Sequence, residues 1–178
     1  MALKLRPANE ADYPAIIALT NRAYRVPAGQ AAWKVETEVG GQRIDAALLR
    51  DDLAAAPDAA LLIASDGKDA HLGHVRLDPG PGGGWFLAML TVDPDRQDAG
   101  RGRQLLEAAE AYAVDNGAVA IQMTVLKLRS ELIAWYERRG YHRTGKTKPF
   151  PYGDERFGVP TRDDLKFEVL EKRLQAKA

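Results

Sequence analysis

Hydrophobic side chains recur at helical spacing in the first third of the chain. Residues 13–23 carry apolar positions three and four residues apart, and Asn9 or Asp12 stands where a helix N-cap is expected. A second amphipathic pattern includes Ile44 and Leu53 and ends at Pro57. The segment LKLRPA before them alternates between apolar and polar residues, which is typical of a strand. This part of the chain therefore predicts one strand followed by two helices.

The middle of the chain changes to strand spacing. The segments ALLIAS and HLGHVRL, residues 60–65 and 71–77, flank a turn at Asp66 and Gly67 and predict an antiparallel hairpin. The next run, WFLAMLTV at residues 85–92, is apolar almost throughout, which is typical of a central strand covered on both faces. These segments predict the middle of a sheet.

Helices and strands alternate through the C-terminal half. A helix is predicted from about Gly100 to Asn116, with Gly117 as its C′ residue, and the strand VAIQMTVL follows, parallel to the central strand through a right-handed crossover. The segment SELIAWYERR predicts a helix capped by Ser130 and ended by Gly140. A short strand from Tyr141 and the alternating run LKFEVLEKRL complete the pattern.

The whole order is β-α-α-β-β-β-α-β-α-β-β, which predicts a mixed α+β sheet with helices on both faces, and we expect one domain over residues 1–178. A hydrophobic content of 46% suits one core. Lysine plus arginine number 25, as do aspartate plus glutamate, so no global charge points to nucleic acid or an anionic membrane. No apolar run nears the roughly 20 residues of a membrane span, and no signal peptide is visible, so we expect a cytoplasmic protein.

The chain has no cysteine and three histidines. The lack of cysteine excludes disulfides, thiolate nucleophiles and thiolate metal ligands. His71 and His74 fall in a strand-like run, where residues three apart point to opposite faces, and His142 lies far away in the sequence. We therefore expect packing or surface roles for these histidines and no metal site.

The segment GYHRTGKT, residues 140–147, matches the pattern G-x-x-x-x-G-K-[ST] of phosphate-binding loops. Such a loop needs a buried strand before it and a helix after it, so that free backbone N–H groups meet the phosphates. Here a helix precedes Gly140, and Pro149 and Pro151 prevent a helix from starting afterwards. We expect a helix C-cap followed by a strand, and no nucleotide triphosphatase.

A second glycine-bearing segment joins the central strand to the following helix. In TVDPDRQDAGRGRQLL, Gln97, Gly100 and Gly102 have the spacing Q-x-x-G-x-G, with arginines interleaved. Glycines let a ligand approach the backbone closely, and the first turn of a helix offers unpaired N–H groups and the positive end of the helix dipole. This arrangement suits a pyrophosphate, although a tight strand-to-helix turn without a ligand explains the same spacing.

The block LTVDPDRQDAGRGRQLLEAAEAYA, the strand VAIQMTVL and the segment LIAWYERRGYHRTG together resemble the GNAT superfamily of N-acetyltransferases. The resemblance is close over residues 85–145, and the order of the flanking elements matches over nearly the whole chain. It implies the acyl-CoA N-acyltransferase fold of that family, which has three layers and a mixed, mostly antiparallel sheet of about seven strands. It also implies acetyl-CoA as co-substrate.

The resemblance implies binding roles for nine residues and a catalytic role for Tyr136. The glycine loop would bind the pyrophosphate through backbone amides, and the central strand would splay from its parallel neighbour to pair with the pantetheine arm. Arg129, where many relatives have asparagine, could reach the phosphates or the pantetheine. Tyr136 would protonate the departing thiolate, unless it only packs beside Trp135. The coenzyme-binding set is Leu90, Thr91, Val92, Gln97, Gly100, Arg101, Gly102, Arg103 and Arg129.

The general base and the acceptor follow less directly. Relatives often carry a glutamate on the central strand, but WFLAMLTV has no carboxylate. A water chain and four side chains stay open as bases: Glu36, Glu38, Asp45 and His74. The family forms its acceptor pocket from loops that correspond to residues 25–33 and 148–161, both with aromatic residues. We expect a small-molecule amine, because the sequence shows no strongly acidic groove for a protein substrate.

The implied reaction is direct attack of a primary amine on the acetyl thioester in a ternary complex. No cysteine acyl-enzyme can form, because the chain has no cysteine. We expect an N-acetyltransferase without nucleic-acid or membrane partners, and a homodimer stays open. Two alternatives remain: a coenzyme-binding sensor without catalysis, which the missing strand carboxylate favours, and a protein or peptide N-acetyltransferase.

Overall fold

The seven strands of the main sheet and the four helices follow one another in the predicted order. A computed structural model describes residues 3–25, 36–66, 71–96 and 100–175. The strands are β1 (Lys4–Pro7), β2 (Val39–Gly40), β3 (Ala60–Ser65), β4 (Gly73–Pro79), β5 (Gly84–Val92), β6 (Ala120–Leu126), β7 (His142–Pro149), β8 (Val159–Pro160) and β9 (Lys166–Arg173). The helices are α1 (Tyr13–Arg25), α2 (Ala46–Ala55), α3 (Arg101–Asp115) and α4 (Ser130–Glu137).

Seven of the strands form one mixed sheet in the order β1-β3-β4-β5-β6-β9-β7. Every neighbouring pair is antiparallel except β5 and β6, which are parallel and joined through α3. The mixed, mostly antiparallel sheet of the sequence prediction is confirmed. The two-residue strands β2 and β8 form a separate antiparallel ribbon that the sequence pattern did not predict.

The sheet separates two hydrophobic cores. On one face, α3 and α4 cover the larger core, where Leu105 and Ile133 are fully buried. On the other face, α1 and α2 contribute Ile16 and Leu49 to a second core. Full burial of one such side chain contributes about 1.5–3 kcal/mol, so the apolar stripes of the helices explain why they lie flat on the sheet. In the described ranges, no helix has the length and apolar character that crossing a bilayer would require.

The helix ends follow most of the predicted signals. Asn9 caps a short 3-10 turn that leads into α1, and the Asp12 carboxylate accepts a hydrogen bond from the Asn9 backbone N–H in return. Asp45 caps α2, so Ile44 lies just before this helix rather than within it. The prediction that Ser130 caps α4 is wrong, because Arg129 is the N-cap residue and Ser130 is the first helical residue.

The segment 140–147 forms a helix end and a strand, as predicted. Gly140 follows α4 with a φ of 89°, a left-handed conformation that glycine adopts without strain. Residues 142–147 lie in β7, which pairs with β9 at the edge of the sheet. Lys146 and Thr147 are exposed on this strand, so the motif lacks the strand-to-helix turn that phosphate binding needs.

One extra residue in β5 changes which face its side chains occupy. Between His74 and Arg76 of β4, the register with β5 shifts, and Met89 has a φ of 53°. Leu87 belongs to the core under α3, whereas Met89 belongs to the core under α1 and α2. No residue of β5 is exposed, which agrees with a central strand. The bulge redirects the strand just before residues 90–92.

Candidate active site

The parallel strands β5 and β6 separate beyond their first three paired residues. Their pairing runs from Gly84 with Ala120 to Phe86 with Gln122 and then ends. Strand β5 nevertheless continues to Val92 alongside β4, and β6 continues along β9. Strand β6 therefore does not pair with β5 near residues 90–92. This is the place where the resemblance implied that the two strands splay apart.

Two cavities lie at this opening and share a wall. The smaller, of about 80 Å³, is lined by Gly102 of α3 and Trp135 of α4. The larger, of about 280 Å³, extends along β5 and β6 towards Phe150. Five residues line both cavities: Tyr24, Leu90, Arg129, Leu132 and Tyr136. A molecule that passed through the opening would thus contact Tyr136 from either side.

The N-terminus of α3 offers backbone donors beside the smaller cavity. Gly100 is the N-cap residue, has a φ of 70° and has no atom within 4 Å of the position that a Cβ would take. The first intrahelical bond runs from the Gln104 N–H to the Gly100 carbonyl, at 3.0 Å. The N–H groups of residues 101–103 therefore have no carbonyl acceptor within the helix. Gln97, the remaining predicted member of this loop, lies outside the described residues.

The arginines beside this turn contact carboxylates. Arg101 lies 3.9 Å from Asp66, and Arg103 donates a hydrogen bond of 2.7 Å to Glu107 on the helix surface. Both pairs are at least partly exposed to solvent, where an ion pair contributes about 0–1 kcal/mol. Exchange of either carboxylate for a phosphate would therefore cost little. The open glycine, the amides without a carbonyl acceptor within α3 and the two arginines fit the diphosphate of an acyl-CoA.

Tyr136 is 6% exposed and stands between the two cavities. Its ring makes edge contacts with Trp135 and Tyr141, at centroid distances of 5.0 and 5.6 Å, which fix its orientation. Burial raises the pKa of Tyr136 well above its usual value, and the neighbouring Tyr24 raises this pKa further. The hydroxyl is consequently protonated at neutral pH and can donate a hydrogen bond.

Tyr24 is a site residue that the sequence analysis missed. It lies one helical turn after the buried Thr20, at the end of α1, and lines both cavities. Its hydroxyl donates to the Leu90 carbonyl at 3.5 Å, the long limit of a hydrogen bond, and burial raises its pKa. The Thr91 hydroxyl donates to the Met89 carbonyl at 3.1 Å. Together these contacts hold the bulged end of β5 in place.

Of the four side chains considered as general bases, Glu36 lines the larger cavity. Its carboxylate accepts a hydrogen bond from Arg25 and lies 4.0 Å from Arg129. Arg25 also donates to the Phe157 carbonyl at 3.3 Å, so this ion pair joins α1 to the loop before β8. Glu36 is thus held in the site as a charged acceptor by two guanidinium groups.

The other three candidates have contacts elsewhere. Asp45 accepts the Leu48 N–H as the cap of α2, and Glu38 accepts the Thr37 hydroxyl. The His74 side chain is fully buried and shares a hydrogen bond of 2.8 Å with Thr20. Burial, together with the smaller effect of neighbouring His71, lowers the pKa of His74 to about 3.

His71 and His74 lie close together, contrary to the prediction that they face opposite sides of a strand. Their rings share a hydrogen bond of 3.0 Å between Nε2 of His71 and Nδ1 of His74. The cause is that β4 begins only at Gly73, so His71 precedes the strand and is not bound by its alternation.

Comparison with known proteins adds the family. The sequence model of the acetyltransferase (GNAT) family matches residues 22–141. A search of curated proteins gave no match.

Solved structures show the same fold at low identity. The ribosomal-protein-S18-alanine N-acetyltransferase from Escherichia coli is 16% identical and has a TM-score of 0.66, with 99% of this chain and 96% of that chain covered. The ribosomal-protein-alanine N-acetyltransferase from Brucella melitensis is 21% identical and also has a TM-score of 0.66, with coverage of 96% and 99%. A nourseothricin acetyltransferase is 20% identical and has a TM-score of 0.65, with coverage of 98% and 100%. Since the family match spans more than half of the chain, the protein belongs to the GNAT family of acetyltransferases.

Proposed function

We propose that this protein is an acetyl-CoA-dependent N-acetyltransferase that transfers the acetyl group directly to the primary amine of a small molecule. The observation that carries the proposal is the position of Tyr136 between a cavity beside the N-terminus of α3 and a cavity with aromatic walls. A thioester that lay against residues 90–92 would have its acyl group where the cavities meet. Membership of the family supports acetyl as the transferred group.

Two backbone features would bind the coenzyme. The N–H groups of residues 101–103, which have no carbonyl acceptor within α3, would donate hydrogen bonds to the diphosphate, and Arg101 and Arg103 would supply charge. The edge of β5 beyond its pairing with β6, near residues 90 and 91, would pair with the amides of the pantetheine arm, as an added strand would. Arg129, on the shared wall, would lie beside this arm.

The chemical step forms a C–N bond and breaks a C–S bond. The amine attacks the thioester carbonyl carbon, and its proton leaves to water as the sulfur departs as a thiolate. Because the hydroxyl of Tyr136 stays protonated, its role is to donate a hydrogen bond to the sulfur while negative charge develops there. The thiolate then takes up one proton, so no net proton is lost from Tyr136. Glu36 would accept a hydrogen bond from the incoming amine.

The larger cavity supports a small-molecule acceptor. Its volume of about 280 Å³ lies at the small end of ligand pockets. Phe150 and Phe167 both line it and stack on each other, with a centroid distance of 5.9 Å. The second candidate is acetylation of a protein N-terminus. Two of the similar solved structures are N-acetyltransferases named for ribosomal-protein alanine, but identities of 16% and 21% support the shared fold alone.

The test measures thiol release from acetyl-CoA with a panel of small amines and N-terminal peptides. We expect turnover of at least one amine, and Tyr136→Phe should lower kcat by about 10²–10⁴-fold, the usual contribution of a positioned acid or donor. Tyr141→Phe is the matched control. This tyrosine is also buried, contacts the Tyr136 ring and donates to Glu110 at 3.0 Å, but it lines neither cavity.

The control variant should keep kcat within a few-fold while losing some thermal stability, because it gives up one partly buried hydrogen bond worth about 1 kcal/mol. Equal losses of kcat in the two variants would show that Tyr136 acts only by packing. Binding of acetyl-CoA without turnover of any amine or peptide would indicate a coenzyme-binding sensor and not an enzyme.

A further inference from the structure

Positive charge exceeds negative charge among the described residues that line the larger cavity. Arg43 and Arg129 line it together with one carboxylate, that of Glu36. Glu36 forms an ion pair with Arg25 and lies 4.0 Å from Arg129. Its charge is therefore already balanced, and Arg43 adds a positive charge that no carboxylate of the described lining offsets.

The backbone at Arg43 is held in one position by Asn21 of α1. The Asn21 amide oxygen accepts the N–H groups of Arg43 and Ile44, at 2.6 and 3.1 Å. The Asn21 amide nitrogen donates to the Ile44 carbonyl at 2.8 Å. Ile44 itself is 2% exposed in the core under α1 and α2. These contacts anchor the start of the Arg43 side chain at the edge of the cavity.

The guanidinium of Arg43 has an aromatic neighbour but no acidic partner in the described part of the chain. It lies over the ring of Tyr24, 5.6 Å from the centroid. None of the carboxylates in the described ranges lies within ion-pairing distance of it, whereas Arg25 and Arg129 both have Glu36. A guanidinium with a fixed base and unused N–H donors is suited to bind a carboxylate in a bidentate manner.

Most of the remaining wall of the cavity is apolar. The apolar side chains that line it include four phenylalanines and two aliphatic residues: Phe86, Phe150, Phe157, Phe167, Met123 and Val125. Such a surface favours an aliphatic or aromatic group over a chain of charged amines, and the excess positive charge repels polycations. The positive charge of Arg43 and the apolar wall together favour a ligand that has both a carboxylate and an apolar group.

We propose that the acceptor is a compact amino carboxylate with an apolar body, of which an α-amino acid with an aromatic or branched side chain is the simplest example, and that Arg43 binds its carboxylate. This inference rests on the proposed function for its reaction. It adds the charge of the acceptor and the residue that recognises that charge.

The test compares L-phenylalanine with L-phenylalaninamide, and L-leucine with L-leucinamide, in the thiol-release assay. The informative quantity is the ratio of kcat/KM for acid to amide in each protein, because the basicity of the amine differs between acid and amide but not between proteins. Wild-type protein should favour the acids. Arg43→Gln should lower kcat/KM for the acids by about 10- to 100-fold, as expected for a lost charge-assisted contact, and leave the amides unchanged.

Two further variants separate recognition from folding. Arg43→Lys keeps the charge and should restore part of the preference for acids. Arg50→Gln removes an exposed arginine of α2 and should leave the ratio unchanged. A wild-type ratio that favours amides, or an Arg43→Gln variant that loses activity equally with acids and amides, overturns the proposal.

A binding measurement distinguishes failure of this inference from failure of the proposed function. If neither acids nor amides are acetylated, the role of Arg43 is tested by calorimetric titration. L-phenylalanine and its amide are titrated into wild type and into Arg43→Gln. Binding of the acid that the variant loses supports the role of Arg43 while the transfer reaction fails. Absent binding, or equal binding of acid and amide, overturns the role of Arg43.

Discussion

Two segments of this chain combine glycines with basic side chains, and each leads into a different kind of element. Residues 100–103 lead from β5 into α3, whereas residues 140–147 lead from α4 into β7. At the start of α3 the N–H groups of three successive residues lack carbonyl partners within the helix. In the second segment the backbone pairs with β9 at residues 142, 143 and 147, with a register shift between them where the Lys146 N–H donates to the Thr144 hydroxyl. Only the first segment can direct several donors at one anion.

Each segment also has a different relation to the sheet. The first lies beside the cavity at which β5 and β6 separate, and Gly102 lines that cavity. The second lies at the far edge, where Lys146 and Thr147 are exposed. Composition is therefore a weak guide to phosphate binding, and the direction of the backbone decides which glycines matter.

The strongest test of this contrast places one negative charge in each segment. Gly102→Asp should weaken binding of coenzyme A about 100-fold, because a carboxylate among the N-terminal amides of α3 occupies their donors and repels the diphosphate. The unliganded protein should keep its stability or gain about 0.3–1 kcal/mol, since a helix N-terminus favours negative charge. Calorimetry with coenzyme A and thermal unfolding measure the two effects.

The matched control is Gly145→Asp, in β7. Gly145 has a φ of 80°, which aspartate tolerates better than most residues. Its Cβ position is open, so the change should leave coenzyme affinity intact. A loss of affinity in Gly145→Asp comparable to that in Gly102→Asp would show that the two segments do not differ in coenzyme binding.

The second test asks what Gly140 does. Gly140→Ala should lower the free energy of unfolding by about 1–2 kcal/mol, because the left-handed conformation at a φ of 89° strains any side chain. Coenzyme affinity should stay the same, since the residue ends α4 and lines neither cavity. Chemical denaturation with and without coenzyme A provides both numbers. A variant of normal stability that no longer binds coenzyme would assign Gly140 to a ligand site instead.

The third test compares two exposed arginines that each pair with a glutamate. Arg103 pairs with Glu107 beside the start of α3, and Arg143 pairs with Glu137 beside β7. Arg103→Gln should weaken coenzyme binding about three- to fivefold, the scale of a solvent-exposed ion pair, and the effect should shrink at high salt. Arg143→Gln should have no effect on binding. Equal responses of the two variants would mean that neither arginine contacts the coenzyme.

The sequence predicted the fold well because its signals were local and repeated. Each of these signals determines a nearby element: the helical spacing of α1 and α3, the left-handed glycines Gly117 and Gly140, and the apolar run of β5. The parallel pairing of β5 and β6 then followed from the crossover rule. The ribbon of β2 and β8 was not predicted, because two residues give no periodicity.

The site was less accessible from sequence because it depends on distant contacts. Met89 takes its left-handed conformation without a glycine to signal it, so the bulge in β5 has no local pattern. Tyr24 and Glu36 approach Tyr136 from α1 and the following loop, far away in the sequence. Glu36 was one of four equal candidates until the fold brought it to the cavity. The coenzyme-binding role of the α3 turn stays a prediction, and Gln97 lies outside the described residues.

The smallest expected effect belongs to the lysine of the phosphate-loop motif. Lys146→Ala should change neither acetyl-CoA turnover nor stability by a measurable amount, because Lys146 is exposed on an edge strand and its backbone N–H is already bonded to the Thr144 hydroxyl at 3.2 Å. Equilibrium binding of a fluorescent ATP analogue with magnesium should be absent in both wild type and variant. Saturable binding in wild type that Lys146→Ala abolishes would restore the motif as a nucleotide site, and a helix would then have to form where β7 now pairs with β9.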